Sequence, residues 1–257
     1  SIKGNDRDGD QLKELMTENG LSTLGLINDY NRITTVKTRV IGNNHQLLRI
    51  DEENKAPINA SVEELVFNAV QSLISEIDVL IFQDYNKGLL TPGLIRRVIE
   101  LCGKHKVPTV VDPKFINFYD YQGVTLFKPN RKELKQAENI AEDLGITELR
   151  NLASSVRDKL GADKIMTTLS ENGILMVTKT EEIHLPAHPR KIVDVSGAGD
   201  SVLSVAALCI GAGVSDELTT ALSNLAGGIV CEHVGVVPVD RDQLYSEAME
   251  LNVSERY

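Results

Sequence analysis

In the stretch Asp194-Val-Ser-Gly-Ala-Gly-Asp200, two glycines separate what reads as a buried strand from what reads as a helix. Ile192 and Val193 supply the apolar strand end, and residues 201–213 are apolar and Ala-rich. Gly197 and Gly199 allow a tight turn and let backbone N–H groups come close to a ligand. A helix starting there offers exposed N–H groups and the positive end of its dipole to an anion such as phosphate. Asp200 has the wrong sign for a group whose only task is anion binding. Its carboxylate makes sense if it takes a proton from a hydroxyl that attacks phosphorus. The plainer alternative is a Gly-rich turn in which Asp200 caps the helix.

With 257 residues and 42% hydrophobic content, the chain can build one large α/β core, with room for a small appendage. A formal net charge of −10 argues against a nucleic-acid surface. Cys102, Cys209 and Cys231 are far apart and show no paired metal spacing, which suits a reducing cytoplasm and buried thiols. No uninterrupted apolar run is long enough to span a bilayer, and no signal-peptide layout is present. A cytoplasmic location is the expectation.

Strand-like and helix-like segments alternate along most of the chain, which predicts a largely parallel sheet covered by helices. Helices are expected over 9–19, 61–76, 91–105, 147–160, 198–212 and 216–233, with another containing Glu133. Ser61 is expected to cap the second of these, with Glu64 at the capping-box position. Strands are expected over 78–83, 107–111, 124–127 and 164–169, and 174–177 with 183–185 as a closing antiparallel pair. Residues 34–41 and 45–51 alternate polar and apolar around Gly42-Asn43-Asn44, which reads as a hairpin leaving the main sheet. The polar motifs fall at the C-terminal ends of the expected strands, the edge at which open α/β sheets bind ligands.

Taken in order, DYNKG from Asp84, VDPK from Val111, KPNRKE from Lys128, TLSENG from Thr168 and DVSGAGD from Asp194 resemble the motifs of the ribokinase-like family of sugar kinases. The hairpin TTVKTRVIGNNHQLLRIDEE, with DYNKG and VDPK, is similar to one branch of it, the bacterial heptose 7-phosphate kinases of lipopolysaccharide precursor synthesis. In that branch the kinase can be fused to a nucleotidyltransferase. The resemblance covers essentially the whole chain. It implies one kinase domain over 1–257, a three-layer α/β sandwich with a mostly parallel central sheet and a β-hairpin lid over 34–51.

The resemblance also implies roles. Asp200 is the catalytic base, and Gly197, Ala198 and Gly199 supply N–H groups to the charge growing on the transferred phosphoryl group. Asn130 and Glu133 match the family's Asn-x-x-Glu motif, whose Glu acts through Mg²⁺ and water near the ATP phosphates. A helix capping box accounts for the same pair, and the two readings are compatible. Thr168, Ser170 and Gly173 line the nucleotide site or form a plain turn. Asn224, in an otherwise small and apolar helix, contacts adenine unless a backbone bond satisfies it. Asp194 and Ser196 resemble positions that hold a monovalent cation such as K⁺.

For the sugar, Lys87, Lys114, Arg39 and Arg49 are the cations that suit a substrate phosphate. Asp84 and Asp112 bind hydroxyls or orient the lysines, and Gln46 reads hydroxyls from the hairpin. Arg39 and Arg49 read equally well as a solvated hairpin face, and Gln46 as turn chemistry. Lys128 is either near the ATP phosphates or solvated at a strand end.

Family members begin with a strand unit whose Asp and Gly-Gly-Asn segment grip the sugar, whereas Ser1-Ile-Lys-Gly-Asn-Asp6 resembles an interior stretch. The expectation is that this unit is missing here and that no nucleotidyltransferase domain follows. ATP and Mg²⁺ are the expected cofactors, a sugar phosphate the substrate, and a homodimer through the hairpin the assembly, with no nucleic-acid or membrane partner. A kinase for another sugar or nucleoside is the neighbouring reading. A non-catalytic nucleotide- or sugar-binding homologue is the reading from another class.

Overall fold

The computed structural model describes residues 1–42 and 45–251; the side chains of Ile41, His45 and Gln46 lie outside the description. The chain divides into two compact units, Ser1–Ser75 with Asn86–Leu101, and Glu76–Tyr85 with the residues from Cys102 onward. No helix among the described residues is long and apolar enough to cross a membrane.

Unit 1 runs through β1 (Ile2–Lys3), α1 (Arg7–Glu18), β2 (Ile27–Asn28), β3 (Val36–Gly42), β4 (His45–Glu52), α2 (Ala60–Leu73) and most of α3 (Pro92–His105). Strands β1 and β2 pair in parallel. Asp6 caps α1 and pins the approach to the hairpin. One of its oxygens accepts from the Gly9 N–H at 2.8 Å and the Thr34 hydroxyl at 2.6 Å, the other from the Thr34 N–H at 2.7 Å. The Thr34 bonds hold the Asp6 carboxyl below its ordinary range.

The hairpin β3–β4 is antiparallel, with Arg39 opposite Arg49, Val40 opposite Leu48, and a register shift between Val40 and Ile41. Asn59, not Ser61, caps α2: its side chain accepts from the Val62 N–H at 3.0 Å. The helix is already under way at Ala60, so Ser61 lies inside its first turn. Gly88 has φ +75°, and a Cβ there would lie 1.9 Å from the Ala56 carbonyl oxygen. The last residue of DYNKG is therefore fixed by close backbone packing within unit 1.

Unit 2 is built on β5 (Leu80–Gln83), β6 (Thr109–Asp112), β7 (Leu126–Phe127), β8 (Lys164–Thr168), β9 (Ile174–Val177) and β10 (Glu182–Leu185), side by side in sequence order. Strands β5 to β8 are parallel; β9 and β10 close the sheet in antiparallel fashion, as expected. The helices are α4 (Arg131–Ala137), α5 (Ile146–Leu160), α6 (Ala198–Gly211), α7 (Asp216–Val230) and α8 (Arg241–Glu250).

Strand alternation sends Val110, Leu126, Met166 and Met176 to one face, where they form a core with Val202, Leu203, Ala206 and Ala207 of α6. Their neighbours Val111, Phe127, Ile165 and Leu175 are equally buried on the other face, where α5 packs on β8 and β9. A sheet covered on both faces makes unit 2 a three-layer sandwich, and it explains the near-continuous apolar runs of its strands. All three cysteines are buried.

One expectation at the decisive stretch is corrected. Ile192 and Val193 are not a buried strand end: they lie in a loop, 57% and 49% exposed. The N–H groups of Val193 and Asp194 donate to the Cys231 carbonyl at 2.8 and 3.2 Å, so this loop is tied to the end of α7 instead of to the sheet. Helix α8 was not expected; Asp240 caps it by accepting from the N–H groups of Asp242 and Gln243.

Candidate active site

The glycine stretch forms the entry to α6. Gly197 is the N-cap with φ +82°, a left-handed conformation that favours glycine. The Ser201 N–H makes a helical bond to the Gly197 carbonyl at 2.9 Å. The N–H groups of Gly199 and Asp200 therefore stand ahead of the helical ladder, at the positive end of the helix. The Ala198 N–H is directed at the Val195 carbonyl, 3.3 Å away. Asp200 is the third residue of the helix and does not cap it; its carboxylate turns to Gln83 and Tyr85.

Those contacts open a connected polar network inside unit 2. Gln83 Nε2 donates to Asp200 Oδ1 at 3.2 Å and to Asp112 Oδ2 at 2.9 Å. The Tyr85 hydroxyl lies 3.5 Å from Asp200 Oδ1. Burial, with the nearby charges of Asp200 and Asp112, raises the Tyr85 pKa, so the phenol stays protonated and donates. Lys128 Nζ donates to Asp112 Oδ1 at 3.1 Å from a side chain only 3% exposed. It is not the solvated strand-end lysine. A Cβ on Gly199 would lie 3.7 Å from the same ammonium, so a buried positive charge sits behind the glycine turn.

The network continues through Lys114, which lies between Glu133 at 2.5 Å and Asp112 at 3.9 Å. Burial works against the Lys114 ammonium, but the bond to Glu133 and the two carboxylate charges outweigh it and raise its pKa. Asn130 and Glu133 form the capping box of α4: the Asn130 side chain accepts from the Glu133 N–H at 2.8 Å, and Glu133 accepts from the Asn130 N–H at 2.9 Å. Asn130 is also bridged to Thr168 at the end of β8. Two carboxylates that already hold an ammonium between them are oxygen donors suited to a hard cation such as Mg²⁺.

Thr168 ends β8 and Ser170, with φ +54°, opens a 3₁₀ turn that closes at Gly173. Gly173 has φ +82°, and a Cβ there would lie 2.0 Å from the Leu185 carbonyl oxygen. Asn224 is buried in α7 and donates to the Pro186 carbonyl at 2.8 Å, the backbone partner that its apolar helix required. Asp194 accepts from the Ser196 N–H and hydroxyl at 2.9 and 2.8 Å and from the Gly235 N–H at 2.9 Å, bonds that lower its pKa. Among the described residues no cluster of three or more His, Cys, Asp or Glu side chains is placed to hold a metal.

Other predicted residues stand outside this network. Asp84 is 2% exposed and accepts from the Tyr121 hydroxyl at 2.8 Å. In unit 1, Lys87 pairs with Glu53, whose carboxyl Lys87 and Lys55 hold down to about 2. Arg39 and Arg49 are exposed on the hairpin, Arg49 paired with Asp51 at 2.9 Å. The Gln46 side chain lies outside the described residues. Gln83 and Tyr85 were not singled out from the sequence. Strand period carried the signal: Gln83 and Asp84 point to opposite faces, and the parallel register sets Gln83 beside Asp112.

The profile of the pfkB family carbohydrate kinases matches residues 2–242. The chain belongs to that family. Its fold is the ribokinase-like α/β fold. The bifunctional protein HldE of Desulfatibacillum aliphaticivorans is 37% identical over 250 residues, covering 97% of this chain and 51% of that protein. HldE of Geobacter metallireducens is 35% identical over 250 residues, 93% of this chain and 49% of that protein. The chain thus spans about half the length of the curated relatives it matches. Among solved structures, phosphofructokinase-2 from Escherichia coli in complex with potassium superposes with a TM-score of 0.81 at 19% identity, covering 98% of this chain and 81% of that one. Arabidopsis thaliana ribokinase with ribose and ATP gives 0.75 at 17% identity, covering 96% and 80%. These two likenesses concern the fold.

Proposed function

We propose that this kinase transfers the γ-phosphoryl group of ATP to the anomeric hydroxyl of heptose 7-phosphate, giving heptose 1,7-bisphosphate for lipopolysaccharide core precursor synthesis. The observation that carries the chemistry is Asp200 on the first turn of α6, beside a glycine turn backed by the Lys128 ammonium. The likeness to the HldE proteins supports the heptose.

Asp200 takes the proton of the sugar hydroxyl as its oxygen bonds to the γ-phosphorus and the bond to the β–γ bridging oxygen breaks, leaving ADP. The N–H groups of Gly199 and Asp200, with Gly197 shaping the turn, stabilise the charge that grows on the phosphoryl oxygens. Asn130, Thr168, Ser170 and Gly173 frame the nucleotide. Glu133 holds Mg²⁺ through water, and the ion neutralises phosphate charge when bound. Lys114 meets the phosphate of the substrate, and Asp112 binds a sugar hydroxyl or orients Lys114. Asp194 and Ser196 shape a K⁺ site, and the protein works in the cytoplasm as a dimer paired through its hairpins.

A substrate panel tests the sugar. ADP release with ATP and Mg²⁺ is measured for heptose 7-phosphate, ribose and fructose 6-phosphate, and ³¹P NMR locates the new phosphate. Heptose 7-phosphate is expected to give the highest kcat/KM, with the new ester at the anomeric carbon. Preference for either other sugar overturns the heptose assignment.

A further inference from the structure

We propose that Gln83 is a positioning residue for the base: its carboxamide ties Asp200 to Asp112 and holds the Asp200 carboxylate at fixed spacing from the glycine turn. This deepens the proposed function and rests on the reading of Asp200 as the base.

The amide nitrogen of Gln83 carries two N–H donors and no acceptor. One donor is used on Asp112 Oδ2 at 2.9 Å and the other on Asp200 Oδ1 at 3.2 Å. Both bonds need a free lone pair on the carboxylate oxygen, so each is strongest when its partner is ionised. Asp112 is itself anchored, being the register partner of Gln83 in the sheet and the acceptor for the buried Lys128. Gln83 therefore connects a carboxylate fixed on β6 to a carboxylate on the first turn of α6. Without the amide, the two like charges face each other, and among the described residues the Tyr85 hydroxyl is the remaining partner of the Asp200 carboxylate. The titratable groups facing Asp200 are Tyr85 after β5, Asp112 on β6 and Lys128 after β7, which is paired with Asp112.

The test uses the full-length protein with Gln83→Met, a side chain of similar length that lacks the donors. With heptose 7-phosphate, kcat is expected to fall about tenfold while KM for ATP changes less than about twofold. The acid limb of kcat/KM is expected to move to higher pH, because the ionised base loses a hydrogen-bond donor. A second readout needs no sugar. The ¹³C carboxyl titration of Asp200, identified by its disappearance in Asp200→Asn, should move up in the variant by the same amount. If Gln83→Met does not fold, Gln83→Asn, which keeps the donors but spans a shorter gap, replaces it. An unshifted Asp200 titration in a folded variant overturns the inference. Absence of sugar-dependent turnover in the unaltered protein overturns the substrate reading instead, and the NMR titration still decides the role of Gln83.

Discussion

Lys128 donates to Asp112 at 3.1 Å with the two side chains only 3% and 8% exposed, and the lysine ammonium lies directly behind Gly199. A buried pair of this kind is costly to break from one side, because the remaining charge has no water to turn to. Lys128→Met should lower unfolding stability by about 3–5 kcal/mol and remove the positive charge behind the phosphoryl-binding turn. Urea unfolding at neutral pH checks the first part and sugar-dependent turnover the second. A variant within about 1 kcal/mol of the unaltered protein would show that the ammonium is not buried as described.

Gly173 combines φ +82° with a backbone approach that leaves no space for a Cβ. Gly173→Ala should cost at least about 2 kcal/mol through strain and clash with the Leu185 carbonyl. Since the turn is assigned to the nucleotide, KM for ATP should rise in any fraction that folds. A stable variant with unchanged KM for ATP would remove the turn from the nucleotide site.

Asp6 and Thr34 make a pH-dependent contribution. The folded Asp6 pKa lies below its unfolded value of about 3.9, so the stabilisation is fully present above that pH and is lost as pH falls through the folded pKa. Thr34→Val removes the hydroxyl bond. The melting-temperature difference from the unaltered protein should be largest near neutral pH and narrow below about pH 4. A difference that stays constant down to pH 3 would contradict the linkage.

The cap of α2 separates two residues that look alike in sequence. Asn59→Ala should destabilise by about 1 kcal/mol, whereas Ser61→Ala should be close to neutral. Equal effects in thermal unfolding would restore Ser61 as the cap.

Periodicity and turn chemistry made most of the sheet, the hairpin and the helices of unit 2 legible, because strands buried on both faces leave unbroken apolar runs. Two features were not legible for a specific reason. Ile192 and Val193 have strand composition, yet the N–H groups of Val193 and Asp194 go to the carbonyl of Cys231, a partner far away in sequence. Lys128 looks like a surface lysine until the register of β6 and β7 places Asp112 beside it. The glycine turn and the Asn130–Glu133 capping box could be read early because their chemistry is local. Gln83 required knowing which face of β5 it occupies.

The most direct test of the central claim is sugar-dependent ADP release by the unaltered protein beside Asp200→Asn, with ATP, Mg²⁺ and heptose 7-phosphate. Loss of the base should lower kcat by about 10²–10⁴-fold with ATP affinity nearly unchanged. Turnover at the unaltered rate in Asp200→Asn would contradict the assignment of Asp200 as the group that accepts the proton.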